Sequence, residues 1–154
     1  MSSRSSIPAW LGAIALVACS STRSKLDLPR EQVAEVRGLQ ERRVFGMGRE
    51  LAFQAVDGKE FGSGFFSELP RDIDVLPGKH TLRCVYLTTY DGVQGPSGTV
   101  EVELEAVAGA VYRSRYDFGA RGEILVRFTA LTKDEAEAAH AKEREAAKDA
   151  AGPD

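Results

Sequence analysis

The 154-residue chain holds only two cysteines, two histidines and one tryptophan. It has no apolar stretch longer than about a dozen residues and no strong excess of either charge. Each shortage removes a class of function. A helix crossing a hydrocarbon layer of about 30 Å takes about twenty apolar residues, so the run Ile7 to Ala18 is too short for a permanent span. The formal net charge of −3 becomes about −4 once Arg4, the one charged residue among positions 1 to 18, is discounted. That leaves no basic stripe and no electrostatic reason to expect nucleic acid. His80 and Cys84 share a strand face, but four residues of strand rise put them about 13 Å apart, too far for one metal ion. Neither a metal nor another cofactor is expected. What is present, 43% hydrophobic residues, is enough for one modest core and one domain.

The N-terminus has a plan of its own. Arg4 stands before the apolar run, and Cys19-Ser20-Ser21-Thr22 follows it. A basic start, an apolar middle and a polar exit make an export signal. Leu16-Val17-Ala18-Cys19 resembles the bacterial lipoprotein box, with an aliphatic residue three positions before the cysteine and a small one just before it. The resemblance implies diacylglycerol on the Cys19 thiol, cleavage before Cys19 and a further acyl chain on the freed amine. Several chains anchor stably where one anchors marginally, at about 0.8 kcal/mol per buried methylene. Ser20, where aspartate is absent, resembles the outer-membrane sorting pattern of Gram-negative lipoproteins and implies a protein facing the periplasm. Lipidation of Cys19 leaves Cys84 as the only thiol in an oxidising compartment. Its place inside a strand pattern reads as a buried small hydrophobe.

Beyond the anchor, residues 19 to 28 read as a polar tether. Pro29 to Gly38 fits either a helix opened by Pro29 or a short strand stopped by Gly38. From Val44 the period approaches two, and Asp57-Gly58 is a two-residue hairpin signal with a strand on each side. Asp72-Ile73-Asp74-Val75 is a further strand, and Pro77-Gly78 suits a type II turn. Leu82, Cys84 and Tyr86 share one face of a core strand, and Tyr90 to Gly98, dense in turn residues, reads as a loop.

Thr99 to Glu105 alternates strictly between glutamate and apolar residues, the pattern of a one-sided antiparallel strand. If Val107-Ala108-Gly109 is a hairpin loop with a left-handed glycine, Ala106 faces Ala110. That register pairs Glu103 with Arg113 and Glu101 with Arg115 outside, and Leu104 with Tyr112 and Val100 with Tyr116 inside. A last strand spans Glu123 to Ala130. Thr132-Lys-Asp-Glu135 is a capping box opening a tail of Ala, Glu, Lys and Arg. With almost no large apolar side chain after Leu131, that helical or disordered tail has little to bury. The expected fold is therefore an all-β antiparallel sandwich of about seven strands over residues 29 to 131, with a charged tail over 132 to 154.

Val56-Asp57-Gly58-Lys59 and, about twenty residues later, Leu76-Pro77-Gly78-Lys79-His80-Thr81-Leu82 resemble the turn motifs of PEGA-like β-sandwich domains. Gln32 to Gly38 resembles the mature start of small bacterial envelope lipoproteins that carry such domains. The resemblance spans residues 29 to 130, although the P-E-G-A tetrapeptide and the usual second proline after Pro77 are missing. It implies a compact sandwich at the cell envelope and supplies no catalytic residues.

The residues that could carry chemistry stand isolated in the sequence. Glu101, Glu103 and Glu105 lie about 7 Å apart on one strand face, a separation that glycosidases use, but alternating charge on the outside of a sheet explains it equally. Asp72 and Asp74 lack the spaced ligands and glycine of a calcium loop. Glycines 46, 48, 62 and 64 are not followed by the lysine and hydroxyl of a phosphate loop. A nucleophilic Ser63 needs a base nearby, and His80 has no strong acidic orienter signalled by the sequence, so Ser63 is a weak candidate; His140 belongs to a solvated helix face. Phe65-Phe66, next to Gly62-Ser63-Gly64, either plugs the end of the sandwich or stands out as a contact for a partner or a sugar ring. Three functions compete: a non-enzymatic lipoprotein that binds or scaffolds another envelope component, a carbohydrate-binding module for cell-wall or surface glycan, and a glycoside hydrolase using the glutamate face.

Overall fold

The structure, a computed structural model, describes residues 23–41, 45–62 and 69–151. Cys19, Ser63, Phe65 and Phe66 lie outside the described residues. Among the described residues ten strands form two sheets: β1 Arg23–Ser24, β2 Ala34–Arg37, β3 Leu39–Glu41, β4 Met47–Val56, β5 Lys59–Glu60, β6 Asp72–Val75, β7 Gly78–Tyr90, β8 Val93–Ala106, β9 Val111–Phe118 and β10 Ile124–Ala130. One sheet has the order β1-β6-β2-β9-β10, and the other β3-β4-β7-β8 with β5 added to β4. A helix α1, Lys133–Ala151, follows. The expected all-β sandwich with a C-terminal helix therefore forms, with three more strands than the period suggests, because β1, β3 and β5 are only two or three residues long.

Alternation explains which side chains go inside. Val36, Leu51, Phe53, Ile73, Leu82, Cys84, Leu104, Tyr112 and Tyr116 make the core. A fully buried side chain of this size is worth about 1.5–3 kcal/mol relative to exposure. Ala34 and Val36 point into the core, so Glu35 between them points to the outer face. The segment from Pro29 to Gly38 is partly both alternatives: a single 3₁₀ turn over Arg30–Gln32, then β2.

Gly38 is the point where the chain passes from one sheet to the other. Its N–H donates to the Arg71 carbonyl at 2.6 Å. A Cβ there would meet that oxygen at 2.6 Å, and the Leu51 carbonyl oxygen closer still. Only glycine fits so tight a passage between two strands.

The second passage corrects the expected register. Val107-Ala108-Gly109 does not fold β9 back beside β8. It carries the chain from the edge of one sheet into the other, so β8 pairs with β7 and β9 pairs with β2 and β10. Gly109 has the expected positive φ, +75°, but its N–H donates to Val33 at the head of β2. The pairs Glu103–Arg113 and Glu101–Arg115 consequently do not form. Glu101 lies opposite Arg83 and Glu103 opposite Thr81, whereas Arg113 lies between Arg37 and Thr129, and Arg115 opposite Arg127. Alternation fixes which face a residue takes, and either arrangement of the neighbours satisfies it.

The stretch from Tyr90 to Gly98 is likewise not a loop. Asp91 and Gly92, with φ of +48° and +80°, make a two-residue hairpin turn, and β8 starts at Val93. The register shifts beside Gly95 and Pro96, where a proline on an edge strand is tolerated. Tyr86 and Tyr90 lie across Gly98 and Gly95, occupying the space that a Cβ would need. Large rings laid over glycines in this way stiffen an edge strand.

Candidate functional site

Three places among the described residues stand out as candidate sites. The first, at the end where β7 begins, joins the two turn motifs. Asp57, at φ +50°, accepts the Thr81 N–H on Oδ1 at 2.8 Å and meets His80 Nδ1 with Oδ2 at 2.7 Å. His80 Nε2 donates to the Leu76 carbonyl at 2.6 Å. Both groups facing the ring are acceptors. The His80 hydrogen bond, and after it the Thr81 N–H, hold the Asp57 carboxyl below the usual carboxylate range. This is a clasp between hairpin and turn, and it accounts for the spacing of the two motifs. A shallow hollow of about 410 Å³ lies beside it, lined by Lys79, His80, Thr81, Glu103, Leu104 and Glu105. Glu101 lies further along β8, where it accepts from Arg83 at 3.0 and 3.1 Å.

The second place corrects the reading of His140 as solvated. α1 crosses the outer face of the sheet that holds β2, and His140 Nε2 lies 2.9 Å from Glu35 Oε2. The other oxygen, Oε1, accepts from Arg37 Nε at 2.6 Å. Glu35 is only 5% exposed, and a carboxylate so buried needs such partners. The capping box forms as expected: Thr132 Oγ1 accepts the Glu135 N–H at 3.3 Å, and Glu135 Oε2 accepts the Thr132 N–H at 2.9 Å. A cleft of about 470 Å³ between helix and sheet is lined in part by Arg30, Glu31, Lys133, Glu137 and His140. Sequence reasoning missed this contact because neither partner looks apolar. The available signal was Ala136 four residues before His140, a small residue that lets a helix approach a sheet.

The third place is the opposite end of the sandwich. Phe45 is 84% exposed, Val93 70% and Tyr90 47%. They adjoin: Tyr90 is opposite Val93 and Met47. The Gly46 N–H donates to Asp91 Oδ1 at 2.6 Å, and the Asp91 N–H donates to the Gly46 carbonyl at 3.1 Å. Nearby, the rings of Tyr86, Tyr116 and Phe118 pack against one another, and Arg49 donates to the Tyr116 carbonyl and to Asp117. Sequence reasoning placed Tyr90 and Val93 in a loop and so did not see a patch held rigidly by a hairpin.

Cys84 is buried in the core, as the strand pattern implies, and burial pushes its thiol up to about 12. Among the described residues no group of three His, Cys, Asp or Glu side chains is arranged to hold a metal ion, and no helix is long and apolar enough to cross a membrane. Compared with protein-family models, with curated proteins and with solved structures, the chain matches none.

Proposed function

We propose that this protein is an envelope lipoprotein held to a membrane by acyl chains on Cys19, with its sandwich serving as a non-enzymatic module that binds or scaffolds another envelope component. The observation that carries the reading is the order of Arg4, the apolar run, Leu16-Val17-Ala18-Cys19 and Ser20, a charge, length and box that agree with one another. The turn motifs shared with PEGA-like domains fit the same address, and the clasp of Asp57 and His80 gives those motifs a structural task. The outer membrane, facing the periplasm, is the location that Ser20 favours.

A carbohydrate-binding module is the second reading, and the exposure of Phe45 and Tyr90 is the observation in its favour, since rings on solvent suit sugar faces. Cys19→Ala is the test of the first. The substituted chain is expected to lose acyl label and to leave the membrane fraction, with the sandwich still folded by circular dichroism. A Cys19→Ala protein that stays wholly with membrane contradicts the anchor. Sedimentation of the lipid-free chain with cell-wall glycan tests the second.

A further inference from the structure

We infer that the end of the sandwich bearing Phe45, Tyr90 and Val93 rests against the lipid surface in which Cys19 is anchored, so that the domain stands in one orientation on the membrane. The inference rests on the proposed lipidation of Cys19 and adds to it a contact surface and a direction.

β1 pairs in parallel with β6, Arg23 opposite Asp72. Through β2 and β9, Asp72, Arg37 and Arg113 continue that level across the sheet. The start of β1 therefore faces the side toward which β9 runs from Arg113 to Phe118, five residues or about 16 Å at about 3.3 Å each. The second sheet ends on the same side. Arg49 near the start of β4 binds the Tyr116 carbonyl and Asp117, and Met47, two residues nearer the end, lies opposite Tyr90. Phe45, Tyr90 and Val93 thus occupy the tip, at about the depth of the end of β9.

Cys19 is four residues from Arg23. At no more than about 3.6 Å per residue the chain carries the Cα of Cys19 about 14 Å at most from the level of Arg23. That is no further out than the tip itself. The expected tether of residues 19 to 28 is therefore largely used up by the docking of β1, and the anchor cannot lift the tip clear of the headgroups.

The tip has the chemistry for that position. Phe45 and Val93 are the two most exposed of the described large hydrophobic side chains, and tyrosine, with an apolar ring and a hydroxyl, is a residue enriched where hydrocarbon meets water. The reciprocal bonds of Gly46 and Asp91 hold the patch in shape, so ordering it on the lipid costs little conformational entropy.

The mature chain contains no tryptophan, because the single Trp10 lies in the segment removed before Cys19. Four single-tryptophan variants of the lipidated full protein, Phe45→Trp, Val93→Trp, Leu76→Trp and Val107→Trp, are reconstituted in vesicles of phosphatidylethanolamine and phosphatidylglycerol with brominated acyl chains. Leu76 and Val107, exposed at the opposite end, are the controls. Insertion to a depth of about 5–10 Å is expected to quench the first two at least about threefold more than the controls. Equal quenching at all four positions, in protein whose N-terminal peptide carries the lipid mass, overturns the orientation and leaves the anchor standing. Emission at positions 45 and 93 that ignores lipid but shifts with cell-wall glycan fragments also overturns it and assigns the tip to carbohydrate. An N-terminal peptide without lipid mass removes the anchor and this inference together.

Discussion

Replacing Asp57 separates the contributions to the clasp. In Asp57→Ala two acceptors disappear, the one for Thr81 N–H and the one for His80 Nδ1, at about 1 kcal/mol each for a site that water reaches. Position 57 also has φ +50°, a conformation that costs alanine about 1–2 kcal/mol and that aspartate, asparagine and glycine tolerate better. The expected loss is about 3 kcal/mol, which with a urea slope of about 2 kcal/mol/M moves the unfolding midpoint by about 1.5 M. Asp57→Asn keeps the backbone tolerance and one oxygen, so it loses about 1 kcal/mol. Asp57→Gly keeps the backbone freedom and neither bond, and falls between them. Urea titrations of the lipid-free mature chain give the order wild type, Asn, Gly, Ala. The folded carboxyl is held below its ordinary value, so its share of stability is complete above about pH 4 and is lost as pH falls through the folded value. The gap between wild type and Asp57→Asn is therefore expected to close in acid. Four proteins with one midpoint, or a gap that acid leaves unchanged, refute the clasp.

Other expectations follow from the same geometry. Gly38→Ala drives a methyl into two backbone oxygens and is expected to cost about 3 kcal/mol, visible as a lowered melting temperature; a neutral result removes the close passage. His140→Ala takes one partner from Glu35 and is expected to loosen α1 by about 1–2 kcal/mol, read as about tenfold faster amide exchange in the helix with the strands unchanged. Cys84, with its thiol pushed up to about 12 by burial, is expected to resist a thiol reagent in the native protein at pH 8 and to react on unfolding in urea.

Much of the fold was legible because its signals are local. Asp57-Gly58 announces a hairpin through the left-handed conformation of both residues, and Thr132 with Glu135 announces a helix start through two reciprocal hydrogen bonds. The face of each core strand follows from a period of two, which placed Cys84 and Tyr116 inside. Strand neighbours were not legible. The same alternation in β8 and β9 is satisfied by a hairpin or by a crossing between sheets, and the choice depends on Val33, some seventy-five residues earlier, waiting to accept the Gly109 N–H. Glu35 and His140 escaped notice for a related reason, since each is an ordinary surface residue until a distant segment covers it. The patch at Phe45, Tyr90 and Val93 was hidden because turn-rich composition reads as a loop, whereas glycines under tyrosine rings build a strand.

The passages at Gly38 and at Val107-Ala108-Gly109 also order the assembly of the molecule in time. β4 with β5 and β7 with β8 close across two-residue turns, so those two pairs in their sheet are built from neighbours in sequence. The other sheet sets β2 between β6 and β9, with Glu35 opposite Asp74 on one side and Val111 on the other. Such distant pairings carry a loop-closure cost and form slowly. A chain emerging from its N-terminus therefore holds β2 with an open edge until β9 arrives, so a strand made early is among the last to be enclosed.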